Sequence, residues 1–107
     1  LDYLETQLPA EGFLFGTPGL ADISIAVFLR NAAFARYRVD ATRWPRTAGF
    51  VERVLAQERL AKWQPFEAVM LRTPIPEHRA ALAAAGAPVS AETVGGGVPR
   101  HGVMRQP

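Results

Sequence analysis

The segment from Leu20 to Tyr37 constrains the fold of this chain more than any other part of the sequence. It is apolar nearly all round, and its only charged residues before Arg36 are Asp22 and Arg30. Eighteen residues are too many for one strand, and the alanines within the segment favour a helix. A helix that is apolar on every face belongs at the centre of a bundle. The sequence therefore predicts an all-α helical bundle built around this segment.

Apolar periodicity and breaker residues predict further helices on both sides of the central one. One ends near Leu8, one runs from Trp44 and Pro45 to Leu55, one covers Leu60 to Leu71 with a break at Pro65, and one runs from Glu77 to Ala85 before Gly86. The prolines predict an extended segment over residues 73–76. The glycine-rich end has little to bury, so we expect a helical domain over residues 1–86 and a flexible tail over residues 87–107.

Composition narrows the classes of function that 107 residues allow. Without cysteine, the chain has no disulfide framework and no thiol nucleophile. A formal net charge of +2 is too small to indicate a nucleic-acid partner. Charged residues interrupt the apolar runs before the roughly 18 residues that a membrane-spanning helix needs, so no membrane partner is expected. The sequence begins at Leu1 inside a helical pattern, and we expect that further residues of the domain precede it.

Four motifs follow one another in the order of a known family. They are LDYLETQL at residues 1–8, FLFG at 13–16, LADI at 20–23, and WP at 44–45 followed by FVER at 50–53. Together they make residues 1 to about 67 resemble the C-terminal helical domain of the glutathione S-transferase superfamily. The last forty residues have no counterpart in this resemblance.

The resemblance implies a transferase that conjugates glutathione to hydrophobic electrophiles. In that family a thioredoxin-like N-terminal domain holds glutathione, so this chain is expected to bind no cofactor, to carry no catalytic residue and to be inactive alone. That missing domain is its expected partner. The alternative is a non-catalytic protein-interaction module with the same fold. A cytoplasmic, bacterial protein that forms a dimer or another homo-oligomer is expected.

The resemblance also assigns individual residues. Asp22 matches the aspartate of the family's helix-capping box, in which Gly19 replaces the usual hydroxyl residue. By analogy, Asn31 and Phe34 are expected to bind substrate from late positions on the central helix. The residues alone favour a structural cap for Asp22 over a catalytic acid, because a carboxylate fits the positive end of a helix dipole. They leave open whether Arg30 and Asn31 line a wet cleft or pair inside the bundle.

Two remaining sets of residues carry weaker signals. No metal site is expected, because His78 and His101 stand alone, one on a helix predicted to be exposed and one in the tail. The densest basic cluster comprises Arg36, Arg38, Arg43 and Arg46. We interpret this cluster as solvated surface near a helix C-terminus rather than as a contact for phosphates.

Overall fold

The computed structural model describes residues 1–91, and every regular element in this range is a helix. This confirms the predicted all-α class. The α-helices are α1 (Asp2–Gln7), α2 (Leu20–Asn31), α3 (Pro45–Leu55), α4 (Glu58–Ala61), α5 (Gln64–Arg72) and α6 (His78–Ala84), with 3₁₀ turns at Ala32–Ala35 and Ile75–Glu77. The chain divides into two compact units, one from Leu1 to Trp63 and one that begins at Gln64. The boundary predicted after residue 86 stays a prediction, and residues 92–107 of the predicted tail lie outside the described range.

The core of the first unit lies where α2 and α3 pack against each other. Phe50 and Val54 stand one turn apart on α3 and are fully buried. They meet Ala26 of α2 and Leu8, which follows α1. The alanine side chain is short, so the two helices approach closely at this point. One small core thus fixes the positions of α1, α2 and α3.

The central helix differs from its prediction in length and in burial. α2 ends at Asn31, and the chain continues as a 3₁₀ turn that closes at Arg36, whose φ of 60° is left-handed. Only one face of α2 is covered in the described part of the chain, through Asp22, Ala26 and Leu29. On the other face the side chains of Leu20 and Phe28 are 80% and 75% exposed. The apolar pattern predicted the helix but not which of its faces this chain covers.

The second unit pairs α5 with α6. Leu82 is buried on α6, and so is His78, which corrects the prediction that this histidine lies on an exposed helix. His78 Nε2 lies 2.7 Å from the carbonyl oxygen of Thr73, and because a carbonyl only accepts, the ring nitrogen donates. The predicted extended segment is also shorter than expected. Pro74 is extended, with ψ 143°, but a 3₁₀ turn follows it at once.

Candidate functional site

The start of α2 is organised by the carboxylate of Asp22. The N-cap residue, Gly19, has no side chain, and its backbone N–H donates to Asp22 Oδ2 at 2.9 Å. The other carboxylate oxygen accepts from the backbone N–H of Leu14 at 2.9 Å. Asp22 is fully buried, so both oxygens are engaged away from water. The carboxylate therefore serves as a cap and also ties the 13–16 loop to α2, which leaves it in a structural setting rather than at a reactive surface.

The start of α3 takes its cap from a distant helix. Its N-cap residue, Trp44, provides no side-chain cap. Glu5 of α1 provides it instead: its carboxylate accepts from the backbone N–H groups of Arg46 and Thr47, each at 2.8 Å. The hydroxyl of Thr47 donates to the same carboxylate at 2.7 Å. Partial burial acts to raise the pKa of Glu5, but these hydrogen bonds and the charge of Arg46 lower it below 4.5 overall.

A second carboxylate of α1 reinforces this junction. Trp44 Nε1 donates to Asp2 Oδ1 at 2.7 Å, and the guanidinium of Arg43 pairs with Asp2 at 3.4 Å while lying 4.4 Å above the Trp44 ring. The hydrogen bond from Trp44, followed by the charge of Arg43, lowers the pKa of Asp2 below 3.8. Asp2 and Glu5 thus hold α1 against α3, and α1 in turn forms one wall of the cavity described next.

An apolar cavity of about 590 Å³ opens between α1 and α2; we call it the α1–α2 groove. Its side chains come from both helices and from the segment after α2. They are Leu1, Leu4, Ser24, Ile25, Phe28, Leu29, Ala32 and Tyr37. Ser24 Oγ donates to the carbonyl oxygen of Leu20 at 2.8 Å, so its hydroxyl is turned towards its own helix. A cavity of this size and polarity is suited to an apolar ligand.

The two residues predicted to bind substrate lie elsewhere. Asn31 is exposed at the end of α2, and Phe34 is 44% exposed in the 3₁₀ turn. Neither lines the α1–α2 groove, so their substrate role stays a prediction. Sequence reasoning missed Phe28 and Tyr37, which do line it. The helical spacing of Ile25, Phe28 and Leu29 was the signal available, since residues three and four apart share one face.

Other chemistry is sparse in the described residues. Among residues 1–91, no group of three His, Asp or Glu side chains is arranged to hold a metal ion. His101 lies outside the described range. In the same part of the chain, no helix is long and apolar enough to cross a bilayer. The α1–α2 groove is therefore the main candidate for function in the first unit.

Comparison with known proteins supports the family resemblance. Residues 1–53 match the family model described as "Glutathione S-transferase, C-terminal domain". Neither the curated proteins nor the solved structures compared with this chain contain a significant match. The matched range holds the whole of α1 and α2 and the first nine residues of α3, together with the caps formed by Asp22 and Glu5. Residues 1–53 of this chain belong to the glutathione S-transferase C-terminal domain family.

Proposed function

We propose that this domain forms the wall of a hydrophobic co-substrate site in a glutathione transferase. A separate thioredoxin-like domain would hold glutathione, the co-substrate of the intact enzyme. The α1–α2 groove is the observation that carries this proposal, because its volume of about 590 Å³ and its apolar lining match sites for drug-sized ligands. The family match over residues 1–53 supports the same assignment.

The lining of the groove contributes apolar contacts to a ligand rather than reactive groups. Phe28 and Ile25 present apolar surface to a ligand, and the Ser24 hydroxyl is already bonded to its own helix. Removing an apolar body from water contributes roughly 25 cal/mol per Å² buried. In the proposed reaction the domain therefore positions the electrophile, while the thiolate of glutathione attacks it from the partner domain. A carbon–sulfur bond forms and the bond to the leaving group breaks, which releases chloride when the electrophile is 1-chloro-2,4-dinitrobenzene. By itself the chain binds no cofactor and conjugates nothing.

A titration of the full 107-residue chain with 1-chloro-2,4-dinitrobenzene, followed by ¹H–¹⁵N NMR, tests the proposal. The chain has no cysteine thiol for this reagent to arylate. We expect saturable shifts at the amides of Ile25 and Phe28. Phe28→Ala should weaken binding several-fold, because the ring lines the groove. Phe15→Ala removes an equally large, 82% exposed ring that does not line it and should change nothing. Equal binding by both variants would contradict the proposal.

The open face of α2 favours a second candidate, a non-catalytic protein-interaction module. Leu20 and Phe28 are large apolar side chains that the described residues leave exposed, and surfaces of this kind mark protein contacts. If this second candidate is correct, 1-chloro-2,4-dinitrobenzene does not bind the groove saturably. Phe28→Ala nevertheless changes the oligomeric state of the chain, as measured by light scattering.

The cellular setting belongs to the same proposal. We place the protein in a bacterial cytoplasm, where a glutathione pool is available. We expect a dimer or another homo-oligomer there, because the exposed apolar face of α2 favours self-association. A monomer in light scattering at high concentration would contradict that expectation.

A further inference from the structure

A second cavity, of about 210 Å³, lies between α2 and α3; we call it the α2–α3 pocket. Its apolar lining residues are all buried or half-buried: Leu29, Ala33, Val39, Ala48, Val51 and Leu55. The two alanines make the hollow, because their side chains end at Cβ. An apolar cavity of roughly 150 Å³ holds a benzene ring. The α2–α3 pocket has a larger volume than this and is open to solvent, so it has room for one aromatic ring that keeps one edge in water.

The polar residues of the lining are Arg30, Tyr37, Arg38 and Glu52, of which the last three are exposed. Within residues 1–91, no hydrogen bond or ion pair joins the exposed guanidinium of Arg38 to another residue. A guanidinium presents paired N–H donors whose spacing matches the two oxygens of a carboxylate.

The chain reversal after α2 brings Arg38 to this position. Arg36 adopts a left-handed conformation with φ 60°, and its N–H donates to the carbonyl oxygen of Ala33 at 3.0 Å. The next N–H, that of Tyr37, donates to Ala32 at 3.0 Å. These two bonds end the 3₁₀ turn and fold residues 37–39 back beside α2. A residue other than glycine rarely has a positive φ. Here the left-handed conformation of Arg36 directs residues 37–39 along the edge of the pocket.

We propose that the α2–α3 pocket binds a small aromatic monocarboxylate, with the ring against Ala33 and Ala48 and the carboxylate on Arg38. One guanidinium fork, that of Arg38, matches the two oxygens of one carboxylate, so a monocarboxylate is the ligand that fits. This proposal does not depend on the transferase proposal. The two cavities share Leu29 and Tyr37, but Phe28 lines only the α1–α2 groove and Arg38 lines only the α2–α3 pocket.

Titration of the full chain with sodium benzoate, followed by ¹H–¹⁵N NMR, tests this inference. We expect saturable shifts at the amides of Ala33 and Ala48. Benzamide, which has the ring without the charge, and sodium acetate, which has the charge without the ring, should each bind roughly tenfold more weakly. Saturation by benzamide at the same concentration as benzoate would overturn the role of the cation.

Variants separate this pocket from general attraction of anions. Arg38→Gln should weaken benzoate binding roughly tenfold. Arg59→Gln, an exposed arginine on α4 outside the pocket, should leave it unchanged. Ala48→Leu should abolish benzoate binding, because the larger side chain fills the pocket. If Ala48→Leu does not fold, Arg38→Gln still tests the proposal, because Arg38 is exposed and its replacement should not disturb the fold. Equal benzoate affinity in the two arginine variants would overturn the proposal. Phe28→Ala should not affect benzoate, which distinguishes failure of this inference from failure of the transferase proposal.

Discussion

The N-termini of α2 and α3 obtain their hydrogen-bond acceptors from different parts of the chain. Each begins after an N-cap residue whose side chain makes no capping hydrogen bond, Gly19 for α2 and Trp44 for α3. In each case a carboxylate accepts a hydrogen bond from a backbone N–H at the helix start. The donor is the N–H of Gly19 for α2 and that of Arg46 for α3. For α2 the carboxylate is Asp22, three residues into the same helix. For α3 it is Glu5, which lies 41 residues before Arg46.

This difference separates a local cap from a tertiary one. Asp22 is fully buried and joins α2 to the loop that immediately precedes it, through Leu14. Glu5 is partly exposed and joins two helices that are distant in sequence. Free N–H groups at a helix start need an acceptor in either case. The local cap stabilises one helix and its loop, whereas the tertiary cap also fixes α1, and with it one wall of the α1–α2 groove.

Asp22→Ala should break the local cap and cause the largest effect. It leaves the N–H groups of Gly19 and Leu14 without an acceptor at a site that is closed to water. We expect the free energy of unfolding to fall by about 3 kcal/mol, since each unpaired donor costs roughly 1–3 kcal/mol. Urea unfolding followed by circular dichroism measures it. Asp22→Asn keeps one acceptor oxygen and should lose clearly less. A loss below about 1 kcal/mol for Asp22→Ala would mean that water replaces the carboxylate.

Glu5→Ala should break the tertiary cap with a smaller loss than Asp22→Ala. The Glu5 carboxylate is partly exposed, so water takes over some of its hydrogen bonds. The amides of Arg46 and Thr47 should exchange with solvent faster in this variant, because they lose their acceptor. Glu11→Ala, which removes an exposed carboxylate from the loop after α1, is the matched control. Unchanged exchange at Thr47 would show that Glu5 is not the cap in solution.

The pH dependence of the tertiary cap follows from the pKa of Glu5. The folded protein lowers this pKa below 4.5, so the charged form stabilises the folded state. That contribution is fully present above pH 4.5 and is lost as the pH falls through the lowered value. The stability difference between the wild type and Glu5→Gln should therefore be largest near neutral pH and shrink below pH 4.5. The pKa values of Asp2 and Asp40 are lowered too, but both residues are present in each protein and cancel in the difference.

The same contrast explains what the sequence predicts and what it does not. Residue type and spacing mark two possible starts for α2, at Thr17–Pro18 and at Gly19–Asp22, and the structure uses the second. Proline marks the start of α3 at Pro45. The acceptor for α3 is not readable, because it depends on how α1 packs against a helix 41 residues away. The burial of His78 is hidden for the same kind of reason, since its partner is a backbone carbonyl.

The part of the groove lined by Tyr37 is not readable from the sequence, because α2 does not continue to that residue. A continuous helix of 3.6 residues per turn sets one angular position for Phe34, whereas a 3₁₀ turn of three residues per turn sets another. The chain changes from an α-helix to a 3₁₀ turn after Asn31. The 3₁₀ turn therefore changes the positions of Phe34 and Tyr37, whereas Phe28 lies within regular α2 and can be found from its spacing with Ile25 and Leu29.

Gly19→Ser should improve the local cap and produce the smallest effect. Gly19 has extended backbone angles, φ −134° and ψ 179°, that serine adopts freely. Its added Cβ would lie 3.5 Å from Asp22 Oδ2, an ordinary contact, and its hydroxyl would accept from the Asp22 N–H. We expect a gain of a few tenths of a kcal/mol in the free energy of unfolding, and Gly19→Ala, with the same Cβ but no hydroxyl, should fall about 1 kcal/mol below Gly19→Ser. Equal stability of the two variants would show that no hydroxyl cap forms. Because α3 takes its cap from Glu5, Gly19→Ser should raise the free energy of unfolding by the same amount in the wild type and in Glu5→Gln. A different gain in the two backgrounds would mean that the local and tertiary caps are coupled.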